Sequence, residues 1–408
     1  MASICARTVS LDTLHVTKDS LVPHMTTVRL GIIGMGNMGR FHADYLLAEK
    51  VPRIQLTAVC SPSLGKLEKY KAIQLFDEAT KMIRSGAVDA VLVATPHPQH
   101  PAQAMAALEA GLHVMVEKPI ASHKADAERL LAAARAHPRL VFGAMFQLRT
   151  EPRYAKIRKL IQDGDLGKIV RINWIITDWY RTEAYYASGG WRATWKGEGG
   201  GVLLNQCLHQ LDTLQWLVGM PARVRGFCQI GRYHDIEVED NVTIYLEWAS
   251  GATGVFVSST GEAPGTNRFE ICGTRGKVVL ENHRLHFTRN DADMVEFSQA
   301  AKVGFTKPEI WNVEIPIENA PAPHATLMQN FAEAILDGAP LLVPGAEGIH
   351  SVELANVMLY SSLLGQTVEL PMDSAAFEKK LSDLVAASKG SKKVVAITAE
   401  DFSKSFNR

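Results

Sequence analysis

Val28-Arg-Leu-Gly-Ile-Ile-Gly-Met-Gly-Asn-Met-Gly39 runs from an apolar segment into three closely spaced glycines. Its first half is a Leu/Ile run of strand length. Its second half places glycines at 34, 36 and 39, and a helical pattern follows over 38–47. The physical reading is a buried strand that enters a tight turn and opens a helix. Gly34 permits the turn, Gly36 lets backbone approach a diphosphate, and Gly39 lets the helix pack close on the strand. Free amides at the head of that helix, Asn37 and Met38 included, then face the phosphates with the helix dipole behind them. A purely structural glycine turn is the alternative; the strand before and the helix after favour dinucleotide binding.

Downstream, the pattern alternates between strands and helices. A strand is predicted over 54–60, about 20 residues past the glycines, where such folds place the group that reads the adenosine ribose. No carboxylate stands there. Cys60-Ser61-Pro62-Ser63 does, so nothing repels a 2′-phosphate, and Ser61, Ser63 and Lys66 are candidate contacts for one. No arginine is at hand to clamp it, which leaves NADP open beside the favoured NAD. Helices over 64–73 and 79–85 lead to the apolar strand 90–95. Thr95-Pro-His-Pro-Gln-His100 follows at its carboxyl end, where open α/β sheets bind ligands. A helix over 101–110 and a strand over 113–116 run into Glu117-Lys118-Pro119, and a lysine at a strand's carboxyl end is a proton-relay or orienting candidate. A helix over 124–136 and a strand over 140–146 complete a parallel sheet with helices on its faces.

Composition narrows the partners. A chain of 408 residues calls for two domains, and 47% hydrophobic residues suffice to bury both cores. Lys+Arg and Asp+Glu number 43 each, so no global field favours nucleic acid or an acidic membrane, and a small molecule is the expected partner. The five cysteines, Cys5, Cys60, Cys207, Cys228 and Cys272, are scattered without a C-x-x-C pair, as suits a cytoplasmic protein. No metal is expected: His97 with His100, and His209 with Asp212, lack further ligands at recognisable spacing. Residues 1–26 read as a leader without an element, with Met25 as the natural start. A dinucleotide-binding domain then spans 27–147, a substrate-binding and oligomerisation domain spans 148–371, and a peripheral helix (375–387) with a lysine-rich tail ends the chain.

Beyond Gln147 the grammar changes. After a helix over 152–162, strands are predicted over 169–179, 223–230, 242–248, 253–259, 268–273, 277–281 and 284–288, several joined at hairpin length. This is an α+β domain with a large, mostly antiparallel open sheet, packed by helices over 203–217, 325–337 and 347–364. One of these helices carries chemistry. In Gly199-Gly-Gly-Val-Leu-Leu-Asn205-Gln-Cys-Leu-His209-Gln-Leu-Asp212, Asn205 and His209 stand four apart on one helix face, behind glycines that allow backbone to approach a ligand. A histidine titrating near neutrality accepts the proton of an alcohol while hydride leaves its carbon. The aromatic and arginine residues of 179–186 and 190–195 suit a sugar site.

These segments together resemble the family of glucose-fructose oxidoreductase, inositol dehydrogenase and rhizopine-catabolism proteins. Gly31 to Gly39, Ala94 to His100, Glu117-Lys118-Pro119 and Gly199 to Asp212 carry the resemblance, supported by 344–351 and 360–362. It implies a Rossmann domain, an open-sheet domain used in oligomer contacts (dimer or tetramer), and pyridine-nucleotide redox chemistry on a sugar or polyol. It assigns Lys118 the family's lysine role and His209 its catalytic histidine role. Asn205 falls where many members have aspartate, His97 where asparagine is frequent, and Cys207 where glycine is frequent. Contacts expected along the cofactor are Gly34, Gly36, Asn37, Met38, Gly39, Ser61, Thr95, Pro96, His97, His100, Glu117 and Lys118. Those expected along the substrate are Lys118, Gln147, Arg149, Tyr180, Tyr186, Trp191, Arg192, Asn205 and His209. The leading expectation is an NAD(P)-dependent dehydrogenase of a ring hydroxyl on a sugar, cyclic polyol or glycoside. A glycosidase that oxidises the ring transiently, and a non-catalytic nucleotide sensor, are the competing readings.

Overall fold

The computed structural model describes residues 26–317, 323–388 and 394; the leader and most of the lysine-rich tail lie outside them, as does the side chain of Lys66. The opening stretch folds as read. Strand β1 (Val28–Ile33) enters the glycine turn and helix α1 (Asn37–Leu47), followed by β2 (Ile54–Cys60). The predicted helix over 64–73 is corrected: a 3-10 turn at Leu64–Tyr70 gives way to a short strand, β3 (Gln74–Phe76). Three residues offer no periodicity to read, and Ser61 N–H donates to Phe76 O to pin the pairing.

Helix α2 (Ala79–Ile83), strand β4 (Ala90–Val93), helix α3 (His100–Glu109), strand β5 (His113–Val116), helix α4 (Lys124–Ala136) and strand β6 (Phe142–Ala144) complete a six-stranded parallel sheet of order β3-β2-β1-β4-β5-β6. Every residue of β4 is buried, as expected of a strand covered on both faces. The strand order reverses between β1 and β4. Their carboxyl ends therefore part to form a crevice.

The second half contains helix α5 (Pro152–Gln162), strand β7 (Ile169–Ile176), the short helix α6 (Glu183–Tyr186), helix α7 (Leu208–Val218) and strands β8 (Arg223–Ile230), β9 (Glu239–Glu247), β10 (Thr253–Ser259), β11 (Asn267–Gly273), β12 (Gly276–Glu281) and β13 (Arg284–Asn290). Then come helix α8 (Met294–Ala300), strand β14 (Ile310–Glu314), helices α9 (Pro323–Asp337) and α10 (Gly348–Leu364), strand β15 (Val368–Glu369) and helix α11 (Ser374–Ala387). Nine strands form one sheet, β14-β13-β12-β11-β7-β10-β9-β8-β15, antiparallel except for the β7–β10 pair. The period-2 pattern sets its faces: Val242, Ile244 and Leu246 of β9 point inward, while Thr243 and Tyr245 point out. Inside, Trp174 stacks on Phe269 at 4.2 Å, and α10 packs on β8 and α7. Helix α9 returns to the first sheet, touching β1 and β2, with Asp337 paired to Arg53.

The predicted helix over 203–217 starts later, at Leu208. Glu239 at the start of β9 accepts N–H bonds from Gly201 (2.8 Å) and Leu203 (3.1 Å), which holds 201–206 as turns. Asn205 therefore lies ahead of the helix rather than on its face. The glycines before it serve the chain's own packing: a Cβ at Gly201 would fall 2.0 Å from Glu239 O, and one at Gly199 would fall 3.0 Å from Ser122 Cβ.

Candidate active site

A cleft of about 2310 Å³ runs from the glycine turn, past the ends of β4 and β5, to the start of α7. At its head the three glycines differ in their surroundings. Gly34 sits at φ +100°, and a Cβ there would lie 2.7 Å from the Ala94 carbonyl; a Cβ at Gly39 would lie 1.9 Å from Gly34 O. Gly36 has nothing within 4 Å of where its Cβ would be. It caps α1, so the open space lies before unpaired helix amides, which is the cradle a diphosphate requires. Asn37, Met38 and Ser61 border this end, and so does Arg40, the first residue after the motif. Along the chain no arginine stands near the ribose-reading loop; in space, α1 brings one to the same cleft.

At the middle, Thr95, Pro96, His97, His100, Glu117 and Lys118 all border the cleft, each with its own internal role. His100 bolts the loop together: Nδ1 meets Pro119 O and Nε2 meets Thr95 O, each at 2.7 Å. His97 is buried beside Trp191 with Nδ1 unpartnered among the described residues, and burial holds it well below its usual range. Glu117 sits in a buried chain with His42 Nε2 (2.7 Å), whose Nδ1 meets Tyr45 OH at 2.6 Å. Burial raises Glu117, but the His42 hydrogen bond and neighbouring positive charge outweigh it and bring it to about 2. Nothing in the linear sequence tied His42 and Tyr45 to Glu117. The only signal was that the two stand three apart, on a common face of α1.

Lys118 and His209 line the same cleft from separate elements, the end of β5 and the first turn of α7. Burial lowers Lys118 below the usual lysine range, against the opposing charges of Glu117 and Glu198. Its Nζ donates to Asn205 O at 2.7 Å. Burial, and then the charge of Lys118, push His209 well below the usual imidazole range, so it is neutral at neutral pH. The Gln147 amide lies 3.3 Å from His209 Nε2, and Nδ1 has no hydrogen-bond partner among the described residues.

Three expected substrate contacts are corrected. Arg149 lies buried under α7, where its guanidinium donates to both oxygens of Asp212 at 2.7 Å and to Glu347. Tyr186 turns inward and donates to Thr260 Oγ1 at 2.7 Å, and Tyr180, 47% exposed, does not line the cleft. The neighbour Tyr185 faces the cleft instead: its hydroxyl accepts from Arg192 Nη1 at 2.8 Å and from Gln206 Nε2 at 3.2 Å. Successive residues on a helical turn point about 100° apart, which gives the two adjacent tyrosines different surroundings. Trp191, Arg192, Gln147 and Asn205 line it as placed.

Outside the cleft, one trio of metal-ligand type among the described residues, His123, Asp126 and Glu378, gathers within 4.8 Å. Arg129 Nη2 bridges both carboxylates at 2.6 Å and offsets one of their two charges.

Two family profiles match consecutive parts of the chain. Residues 28–144 match the one described as oxidoreductase family, NAD-binding Rossmann fold, and residues 154–279 match the GFO/IDH/MocA C-terminal domain. The chain belongs to the GFO/IDH/MocA family. Family relatives include inositol 2-dehydrogenase of Rhizobium meliloti, 24% identical over 82% of this chain and 97% of its own length. Levoglucosan dehydrogenase of Pseudarthrobacter phenanthrenivorans is 26% identical over 86% and 100%. Among solved structures, the WlbA dehydrogenase of Bordetella pertussis in complex with NADH and UDP-GlcNAcA superposes with a TM-score of 0.71 at 25% identity, over 85% of this chain and 100% of that one. As a GFO/IDH/MocA protein the chain is an oxidoreductase with an NAD-binding Rossmann domain. No helix among the described residues is long and apolar enough to cross a membrane.

Proposed function

We propose that the protein is a dehydrogenase that oxidises a ring hydroxyl of a sugar, cyclic polyol or glycoside. The observation that carries this reading is the convergence of Lys118 and His209 on one cleft, both shifted toward their neutral forms by burial, in line with the open turn at Gly36. The groups that would hold NAD are the helix-head amides of Asn37 and Met38 for the diphosphate, Ser61 at the ribose end, and Thr95, Pro96 and Lys118 toward the nicotinamide. Bound NAD supplies the acceptor for the hydride that leaves the carbinol carbon. His209, neutral and therefore carrying a lone pair, takes the hydroxyl proton at a ring nitrogen. Lys118 Nζ spends one donor on Asn205 O and directs another at the substrate oxygen, stabilising the carbonyl as it forms. Trp191 and Tyr185 offer ring faces to the C–H surface of a sugar, and Arg192 offers donors to its hydroxyls.

Balanced charge and free thiols at Cys60, Cys207, Cys228 and Cys272 support a cytoplasmic protein without nucleic-acid or membrane partners. The outer face of the nine-stranded sheet, with Phe227 55% and Tyr245 40% exposed, supports a homo-oligomer. The test is to incubate the purified protein with NAD and a panel of cyclitols, free sugars and aryl glycosides. Net growth of reduced nicotinamide supports the dehydrogenase; aglycone release without it overturns this reading in favour of redox-assisted hydrolysis.

A further inference from the structure

Glu198 stands just ahead of the glycine triplet and is only 2% exposed, yet its carboxylate is fully engaged. The turns that follow fold back so that Asn205 Nδ2 donates to Glu198 Oε1, while Oε2 accepts from the Ala193 amide. Arg192 Nη1 lies 3.9 Å from Oε1. Burial raises Glu198, against the charge of Arg192 and the donors at Ala193 and Asn205; the Asn205 amide meets it through the nitrogen, which turns the oxygen elsewhere. Asn205 Oδ1 is left with no hydrogen-bond partner among the described residues, on a side chain that borders the cleft and whose own backbone carbonyl holds Lys118 Nζ at 2.7 Å. An amide with its nitrogen occupied and its oxygen open accepts a hydrogen bond; a substrate hydroxyl supplies one.

We propose that Glu198 is a positioning residue that locks Asn205 with Oδ1 turned into the cleft, where it accepts a hydrogen bond from a hydroxyl of the bound sugar or polyol. The inference rests on the reading of Lys118 and His209 as the reacting groups. It defines the recognised substrate as one that offers an O–H donor beside Lys118. A site built around such a bond discriminates strongly against an analogue lacking that hydroxyl, because the acceptor is then left unpaired.

The geometry makes an asymmetric prediction. In E198Q the Ala193 N–H fixes the new amide's oxygen, so its NH₂ group meets Asn205 and reverses that side chain, turning a donor into the cleft. Sugar KM is expected to rise about tenfold, the value of one lost hydrogen bond, with NADH affinity unchanged. N205D alone places two carboxylates together and adds an ionisation to the pH profile. In E198Q/N205D the NH₂ group introduced at 198 donates to one oxygen of the carboxylate introduced at 205, and the other oxygen again accepts in the cleft, so the double variant recovers most of the loss of either single one. Calorimetric binding of the sugar to the NADH-loaded protein reads the same contact without turnover. Parent-like KM and sugar affinity in E198Q, or additive defects in the double variant, overturn the positioning role while leaving the dehydrogenase reading intact. Absence of both turnover and sugar binding in the parent protein overturns both.

Discussion

One added methyl group at each of the three turn glycines separates folding from nucleotide binding. At Gly39 the new Cβ meets the Gly34 carbonyl oxygen at 1.9 Å, and at Gly34 it meets the Ala94 carbonyl at 2.7 Å on a backbone with φ +100°. Neither obstacle is a side chain that can swing aside, so each substitution forces a main-chain shift costing about 1–3 kcal/mol. Gly34→Ala adds roughly 1–2 kcal/mol for the left-handed conformation. Gly36 is different: φ is −73° and nothing lies within 4 Å of the built Cβ. Gly36→Ala leaves the fold within about 1 kcal/mol of the parent, the gain through the unfolded chain being offset by alanine's poorer fit at the cap of α1. Its methyl nevertheless occupies the space before the helix amides. Losing one hydrogen bond to a charged phosphate there, about 1.5–3 kcal/mol, weakens NADH binding roughly 10- to 100-fold. Urea unfolding gives the first quantity and NADH fluorescence titration the second. Gly36→Ala that binds NADH like the parent, or that unfolds as readily as Gly39→Ala, refutes the assignment of the cradle.

The rest of the cleft is open to the same treatment. His209→Ala and Lys118→Ala are each expected to lower kcat by about 10²- to 10⁴-fold, with NADH affinity retained in His209→Ala and weakened by up to about tenfold in Lys118→Ala, which loses a nicotinamide contact, as read by steady-state kinetics and fluorescence titration. Because burial and Lys118 depress His209, its neutral form persists below pH 6.5. The acid limb of kcat/KM for oxidation is therefore expected below that pH, and a limb centred at or above it contradicts the burial argument. The same group protonates near pH 6.5 when unfolded, so it withdraws stability as pH falls below that point. Glu117, at about 2 when folded, contributes stability that is complete above about 4.5 and fades as pH drops toward 2. The gap in unfolding free energy between the parent and Glu117→Gln is expected to close over that range. Arg149→Met strands the buried Asp212 carboxylate and is expected to cost about 3–5 kcal/mol in chemical denaturation.

Where local physics governs, the chain was legible. The β1 run, the glycine spacing and the apolar 90–95 segment depend on neighbours in sequence, and the parallel sheet followed from their alternation. Period 2 placed strands from β7 to β13, whose inward residues carry the pattern. It failed for β14, all of whose residues are exposed, and for β3 and β15, which are too short to show any pattern. The site divides the same way. Lys118 and His209 were marked by their motifs, whereas the fates of Arg149 and Tyr186 were decided by Asp212 and Thr260, partners 63 and 74 residues away. The glycine triplet looked like a ligand cradle because closeness of approach is visible in composition while the approaching groups are not; those groups are Ser122 at Gly199 and Glu239, from β9, at Gly201.

Isotope tracing follows the transferred hydride itself. A polyol that turns over, deuterated at the carbinol carbon, is incubated with NAD and the parent, Lys118→Ala and His209→Ala proteins, and the cofactor is examined by mass. Deuterium in the nicotinamide with the parent, and its near absence with both variants, is the expected result. Label that stays on the sugar or passes to water, or variants that transfer it at the parent's rate, would contradict a cleft in which an amine and an imidazole manage the proton while the nucleotide takes the hydride.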